Sequence, residues 1–216
     1  MKPILIILAL FVGSSLFAQK FEIGLNGGMV FNTAPSIPNS PAPFYTMKEK
    51  PSQISAAASL KALNMHKKWQ YGIEIACMPL SYKISMGRYY LIDSQIVKVF
   101  GKDETTSTLS KPAIPVKAIF DRVVVLKKLK VYGGISAGYV FVTNTHIPHS
   151  EFGTDYITPQ GHGITVGLHT GGTYLVSKRT GINAEVSADY MLLTIGGVSY
   201  NLFAFPFTFG IRYRIN

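Results

Sequence analysis

The stretch "HIPHSEFGTDY" gathers His146, His149, Glu151 and Asp155 within a few residues of one another. Two imidazoles at a three-residue spacing beside carboxylates could ligate a transition metal, or one could serve as general base in a hydrolysis. Either role needs the side chains held in place, and neither helical nor strand periodicity fixes them here. A solvated polar loop accounts for the same residues, and that reading is adopted. His169 sits between Gly167 and Gly171 in an alternating segment, where a hydrogen-bonded packing role fits better than catalysis. No catalytic residue, cofactor or metal site is expected.

A second set of reactive side chains is spread over the whole chain. Glu22, Glu74, Glu185 and Asp189 are four acids, and Lys61, Lys117, Arg212 and Arg214 are four bases. Each falls on the small, polar side of a segment whose other side is bulky and apolar. A buried charge without a partner costs several kcal/mol, so a balanced set is what a self-neutralising interior requires. Glu22, Arg214, Glu185 and Arg212 are expected to form one charged cluster at one inner end.

The elements that must position these groups are strands. The ending "LFAFPFTFGIRYRIN" places Phe203, Phe205, Phe207, Phe209, Ile211, Tyr213 and Ile215 at every second position, with Ala204, Pro206, Thr208, Gly210, Arg212 and Arg214 between them. Strict period-two alternation marks a strand with two unlike faces. A soluble sheet would bury the aromatics and wet the charges. A face of glycine, serine and alanine is a poor solvent surface, so the reverse arrangement is predicted: bulky groups toward lipid, small and ionised ones inside a narrow barrel.

Eight such segments can be counted. They cover residues 20–31, 53–62, 69–75, 111–120, 131–141, 164–176, 182–190 and the terminal strand from Phe203. Short basic turns ("NMHKK", "VLKKLK", "SKRTG") alternate with long loops near 32–51, 85–107 and 144–161. That alternation is expected when every strand crosses one slab and the short turns share one side. The predicted fold is an all-β, eight-stranded antiparallel transmembrane up-and-down β-barrel with short periplasmic turns and long extracellular loops. Within 85–107, "YYLIDSQIVKVF" could extend the third and fourth strands or add another pair.

The first eighteen residues read as a cleaved signal peptide: Lys2, an apolar run from Ile4 to Val12, and Leu16-Phe17-Ala18 before Gln19. Residues 19–216 then form one barrel domain. The single cysteine, Cys77, excludes an internal disulfide and alternates in phase with Ile73 and Ile75. The net charge of +10 could suit nucleic acid, but an exported protein meets anionic lipid first, so no nucleic acid partner is expected. Lys67, Lys68, Lys127, Lys128, Lys130, Lys178 and Arg179 are assigned to the short-turn rim, and Lys48, Lys50, Lys83, Arg88, Lys98 and Lys102 to the long loops. Both groups are expected to meet lipid phosphates, those of lipopolysaccharide on the long-loop side. Aromatics are expected in two bands: Phe21, Trp69, Phe120, Tyr174 and Tyr213 toward the short turns, and Phe31, Tyr139, Phe141, Tyr190 and Phe203 toward the loops.

The chain resembles small outer-membrane barrels of the OmpA and OmpX kind, in particular the PorT-like outer-membrane β-barrel domain proteins of Bacteroidetes. The residues that carry the resemblance are "FAQ" at the cleavage site, "AIPVKAIF", and the ending "TFGIRYRI". Thr208, Gly210, Tyr213 and Ile215 are similar to the insertion signal read by the barrel assembly machinery, although the chain finishes Ile215-Asn216 rather than on an aromatic. The resemblance implies a Gram-negative outer membrane, not an activity. The expected role is structural, adhesive or interactive, through the loops or a protein partner at loops or turns. The alternatives are a component of a secretion or gliding machinery, an outer-membrane enzyme acting on lipid A or as a protease, and a narrow solute channel.

Overall fold

The computed structural model describes residues 20–33, 53–86, 88–92, 95–99, 105–143, 145–147, 156–158, 160–195 and 198–215. The expected signal segment, and His149, Glu151 and Asp155, lie outside the described residues. The described chain is built of twelve strands: β1 (Lys20–Asn32), β2 (Gln53–His66), β3 (Trp69–Met86), β4 (Arg88–Ile92), β5 (Gln95–Val99), β6 (Thr105–Leu126), β7 (Leu129–Val142), β8 (Thr145–Ile147), β9 (Tyr156–Thr158), β10 (Gly161–Leu175), β11 (Thr180–Ile195) and β12 (Val198–Arg214). Eight of them close into a barrel in the order β1-β12-β11-β10-β7-β6-β3-β2, every pairing antiparallel.

Closure comes with a stagger that fixes the width. Cα partners traced from Glu22 through Leu63, Gly72, Ile119, Ser136, Gly167, Asp189 and Ala204 return to β1 at Asn32, ten residues further on. With a rise of about 3.3 Å per residue and about 4.8 Å between strands, that stagger tilts the strands by about 40° and gives a backbone radius of about 8 Å. Such a cylinder is filled by its own side chains. Because the stagger is even, every residue on the path points inward, and one parity of each strand lines the interior all the way round.

So tight a sheet needs relief from side chains at its bends. At Gly138 a Cβ would fall 2.0 Å from the Val116 carbonyl oxygen, and at Gly72 2.1 Å from that of Ala62, so any larger residue would have to part the strands. Prolines interrupt the ladders in turn, since they bring no N–H. β2 and β3 stop pairing after Ala58 and Cys77, just short of Pro79, whose carbonyl instead accepts from Ser55 Oγ (3.0 Å) and Asn32 Nδ2 (3.1 Å).

Two of the long loops carry strands of their own or extend the barrel strands, the second as the sequence allowed and the third beyond what it foresaw. β3 and β6 continue pairing past the barrel, up to Met86 opposite Thr105, and β4 and β5 form a separate hairpin. The region 85–107 therefore does add a pair of strands, but outside the barrel wall. In the third loop, β8 and β9 pair from Thr145–Thr158 to Ile147–Tyr156. Local pairing of "THI" with "YIT" needs no alternation, which is why periodicity misses it.

Candidate functional site

The inward parity of the strands carries the ionisable groups into one buried network. Lys117 Nζ lies 3.0 Å from Glu74 Oε2 and 3.1 Å from Asp189 Oδ2. Lys61 lies 3.4 Å from Glu74 and bonds closely to Glu185. Nearer the short turns, Lys130 bonds to Glu22, and Arg214 Nη2 reaches the same carboxylate at 2.9 Å. Gln70 joins the second group together: its Oε1 accepts from Lys130 at 3.0 Å, and its Nε2 donates to Asp121 at 2.8 Å. Asp121 in turn holds His169 through Nε2. Arg212 lies 4.3 Å over the ring of Tyr132, whose hydroxyl is 2.8 Å from both Asn183 Oδ1 and Glu185 Oε2.

All eight interior charges named from the sequence thus line the barrel, and Glu22 meets Arg214 while Glu185 lies 3.6 Å from Arg212. The closest partners of those two acids are others, Lys130 and Lys61. Lys130 requires a correction. Assigned to the rim because it follows Lys127 and Lys128, it is inside and 1% exposed. It shares the inward parity of Tyr132 on β7, a signal in the alternation itself, and it stands opposite Thr173. Asp121 went unnoticed because "DRVVVL" does not alternate; it belongs to β6 and is buried. With these two added, five acids (Glu22, Glu74, Asp121, Glu185, Asp189) face five bases (Lys61, Lys117, Lys130, Arg212, Arg214). The interior is self-neutralising.

The filling is not only small and ionised, as expected from the sequence. Toward the long loops the barrel is plugged by Val30, Met78, Val140, Val142, Met191, Leu193 and Leu202 with Ala57, Ala76, Ala113 and Ala204. A smaller cluster, Met65, Val123 and Tyr132, sits at the turn end. Apolar groups at both ends keep water from the ionic layer between them, where low permittivity strengthens each pair. A void of about 10 Å³ beside Glu74, Lys117 and Glu185 has room for about one water molecule.

This arrangement holds charge; it does not present it to a substrate. His169 is buried against Asp121 as a packing group. Among the described residues no three His, Cys, Asp or Glu side chains gather as a metal site would require. His146 belongs to β8, while its expected companions lie outside the described residues.

The outer face is the inverse of the interior. Leu25, Leu60, Ile75, Ile135, Val166, Leu168, Ile182, Phe209 and Ile211 are all exposed, Leu168 by 65%. They encircle the barrel. Trp69 stacks on Phe120 at 4.9 Å near the short turns, and Tyr139–Phe141 and Tyr190–Phe203 pair at 4.9 Å toward the loops. Phe205, Phe207 and Phe209 fill the distance between the bands on β12, so the aromatics are not confined to two levels. Of the insertion-signal residues, Thr208 and Gly210 lie on the inward parity of β12, and Tyr213 and Ile215 are exposed. Lys67, Lys68, Lys127, Lys128, Lys178 and Arg179 occupy the short turns and are exposed.

No protein-family model and no curated protein sequence matches the chain. Among solved structures it is similar to Neisserial surface protein A (NspA), with a TM-score of 0.54 and 12% identity over 89% of this chain and 96% of that one. It is also similar to the outer membrane protease OmpT from Escherichia coli, with a TM-score of 0.50 and 9% identity over 92% of this chain and 97% of that one. At such identities the likeness concerns the fold. The chain has the closed antiparallel barrel fold seen in these outer-membrane proteins.

Proposed function

We propose that the chain is an outer-membrane β-barrel of a Gram-negative bacterium, exported by its first eighteen residues, that works without catalysis through its long loops. The observation that carries this reading is the inside-out distribution of side chains. A continuous apolar band girdles the barrel while five acids and four bases are buried within it and a fifth base, Arg214, is half-buried at its turn end. A water-soluble protein rarely leaves more than a few hundred Å² of contiguous apolar surface bare. In a bilayer the same band is the solvated surface, and closure leaves no barrel strand edge unpaired in hydrocarbon.

The apolar plug supports a sealed body over a solute channel. The burial of the ionic network supports a structural use of those charges over an enzymatic one. The working surface is then the β3–β6 arm, the β4–β5 hairpin and the β8–β9 pair, all on the long-loop side, offered to an adhesive or protein partner. Lipopolysaccharide and phospholipid surround the barrel, the barrel assembly machinery reads Thr208, Gly210, Tyr213 and Ile215, and nucleic acid has no part. Membership among PorT-like barrels belongs to the same proposal.

An epitope inserted at Asp93 in the 85–107 region tests the reading. The tagged protein should pellet with outer membranes, shift on unheated gels and stain on intact cells. Recovery in a soluble fraction would overturn it.

A further inference from the structure

All five acids among the described residues are buried inside the barrel. Among the residues whose side-chain exposure is described, the exposed surface therefore carries cations and no acid, and those cations stand at the short-turn end. They are the turn pairs Lys67–Lys68, Lys127–Lys128 and Lys178–Arg179, with Lys20 and Arg122 beside them. Lys20 is opposite Met65 and Arg122 opposite Trp69, both within a few residues of the first turn.

The pairs are held in place rather than dangling. In each turn the carbonyl of the second basic residue accepts a backbone hydrogen bond from the neighbouring strand. Val123 N donates to Lys68 O at 2.8 Å, Leu175 N to Lys128 O at 2.7 Å, and Arg214 N to Arg179 O at 2.7 Å. Lys67 and Lys127 also adopt left-handed backbone, with φ of 55° and 52°. Glycine or asparagine fits that conformation with less strain, so turn geometry alone does not favour lysine there. Apolar groups lie immediately beside the cations: Trp69 next to Lys68, and Leu126 and Leu129 flanking Lys127–Lys128, all exposed. Cations interleaved with greasy and aromatic groups suit the boundary between acyl chains and head groups better than the surface of an acidic protein.

We infer that the short-turn rim is a preorganised ring for phosphodiester head groups, selecting anionic phospholipid such as phosphatidylglycerol over zwitterionic phosphatidylcholine in the leaflet it meets. The inference rests on the barrel spanning a membrane as proposed above. Each basic side chain near an anionic surface favours association by a factor of about five at most, and salt screens the effect.

The full chain, reconstituted in phosphatidylcholine vesicles with trace spin-labelled phosphatidylglycerol or phosphatidylcholine, tests it by the immobilised fraction of each label. Labelled phosphatidylglycerol should be enriched roughly two- to five-fold over labelled phosphatidylcholine at low salt, with the enrichment largely lost at 1 M NaCl. The combined variant Lys67→Gln, Lys68→Gln, Lys127→Gln, Lys128→Gln should lose at least half of it while keeping the gel shift of a folded barrel. If that variant does not fold, the Lys67→Gln, Lys68→Gln and Lys127→Gln, Lys128→Gln pairs should each lose part. Equal immobilisation of both labels by the unaltered chain overturns the inference, as does enrichment that survives in the folded variants, which would place the anion site on the loops. Absence of any immobilised lipid with either label would instead refute the membrane-spanning reading itself.

Discussion

Replacing Lys117 with Met keeps an unbranched side chain one atom shorter and removes one charge from the middle of the ionic layer. Lys117 is the described ion-pair partner of Asp189, at 3.1 Å, and the Asp189 Oδ1 atom has no hydrogen-bond partner. Glu74 keeps Lys61 at 3.4 Å, so the stranded group is Asp189, which is 0% exposed. Breaking a buried pair from one side costs about 3–5 kcal/mol, because a charge is left uncompensated. Adding Asp189→Asn removes that charge, so the double variant should recover about 2–3 kcal/mol of the loss, a coupling of the size found for residues in one network. Urea unfolding in vesicles, followed by the fluorescence of Trp69, the single tryptophan, gives all four corners of the cycle. Additive losses, with the double variant worse than Lys117→Met alone, would refute the reasoning that the interior charges are mutually neutralising and sealed from water.

Other expectations are simpler. Gly138→Ala should destabilise by roughly 2–3 kcal/mol or prevent folding, since its Cβ would lie 2.0 Å from backbone oxygen, whereas Gly27→Ala, whose nearest neighbour is 4.0 Å away, should change stability by less than about 1 kcal/mol; the same unfolding assay separates them. Tyr132→Phe removes a buried hydroxyl shared by Asn183 and Glu185 and should cost about 1–3 kcal/mol, the range for leaving buried partners unsatisfied. Reversing Arg212 and Glu185 together should not restore the stability lost on reversing Arg212 alone, because the reversed Glu185 would face Lys61. Unfolding midpoints for these two variants and the unaltered chain check this.

The wall of the barrel was legible because one physical fact, the alternation of a strand between two unlike media, writes itself into the sequence at period two. It fails where the two faces stop differing. "YMLLTI" in β11 is apolar on both parities, so Met191 and Leu193 could not be told from outward groups, and the plug they build went unseen. Lys130 failed for the opposite reason: three cations around one turn look alike until the parity of Tyr132 is carried back to decide which of them points inward. The ionic layer was largely readable, since Glu74, Lys61, Lys117 and Asp189 each interrupt a small-residue face. Which acid meets which base was not, because partners such as Lys130 and Glu22 are 108 residues apart and come together only through closure and stagger. The β3–β6 extension and the β4–β5 pair were legible as alternatives in "YYLIDSQIVKVF", whereas the β8–β9 pair depends on local hairpin geometry and left no periodic trace.

Cys77 offers the most direct measurement of the central claim, that the apolar face meets lipid. It is the single cysteine, it is exposed, and it stands across from Ala58 beside Ile75, well inside the apolar band. A nitroxide attached there in phospholipid vesicles should collide readily with oxygen, which concentrates in hydrocarbon, and hardly at all with a water-soluble nickel chelate. Strong collisions with the chelate would put that face in water, and weak collisions with both would bury it in protein; either result contradicts the account.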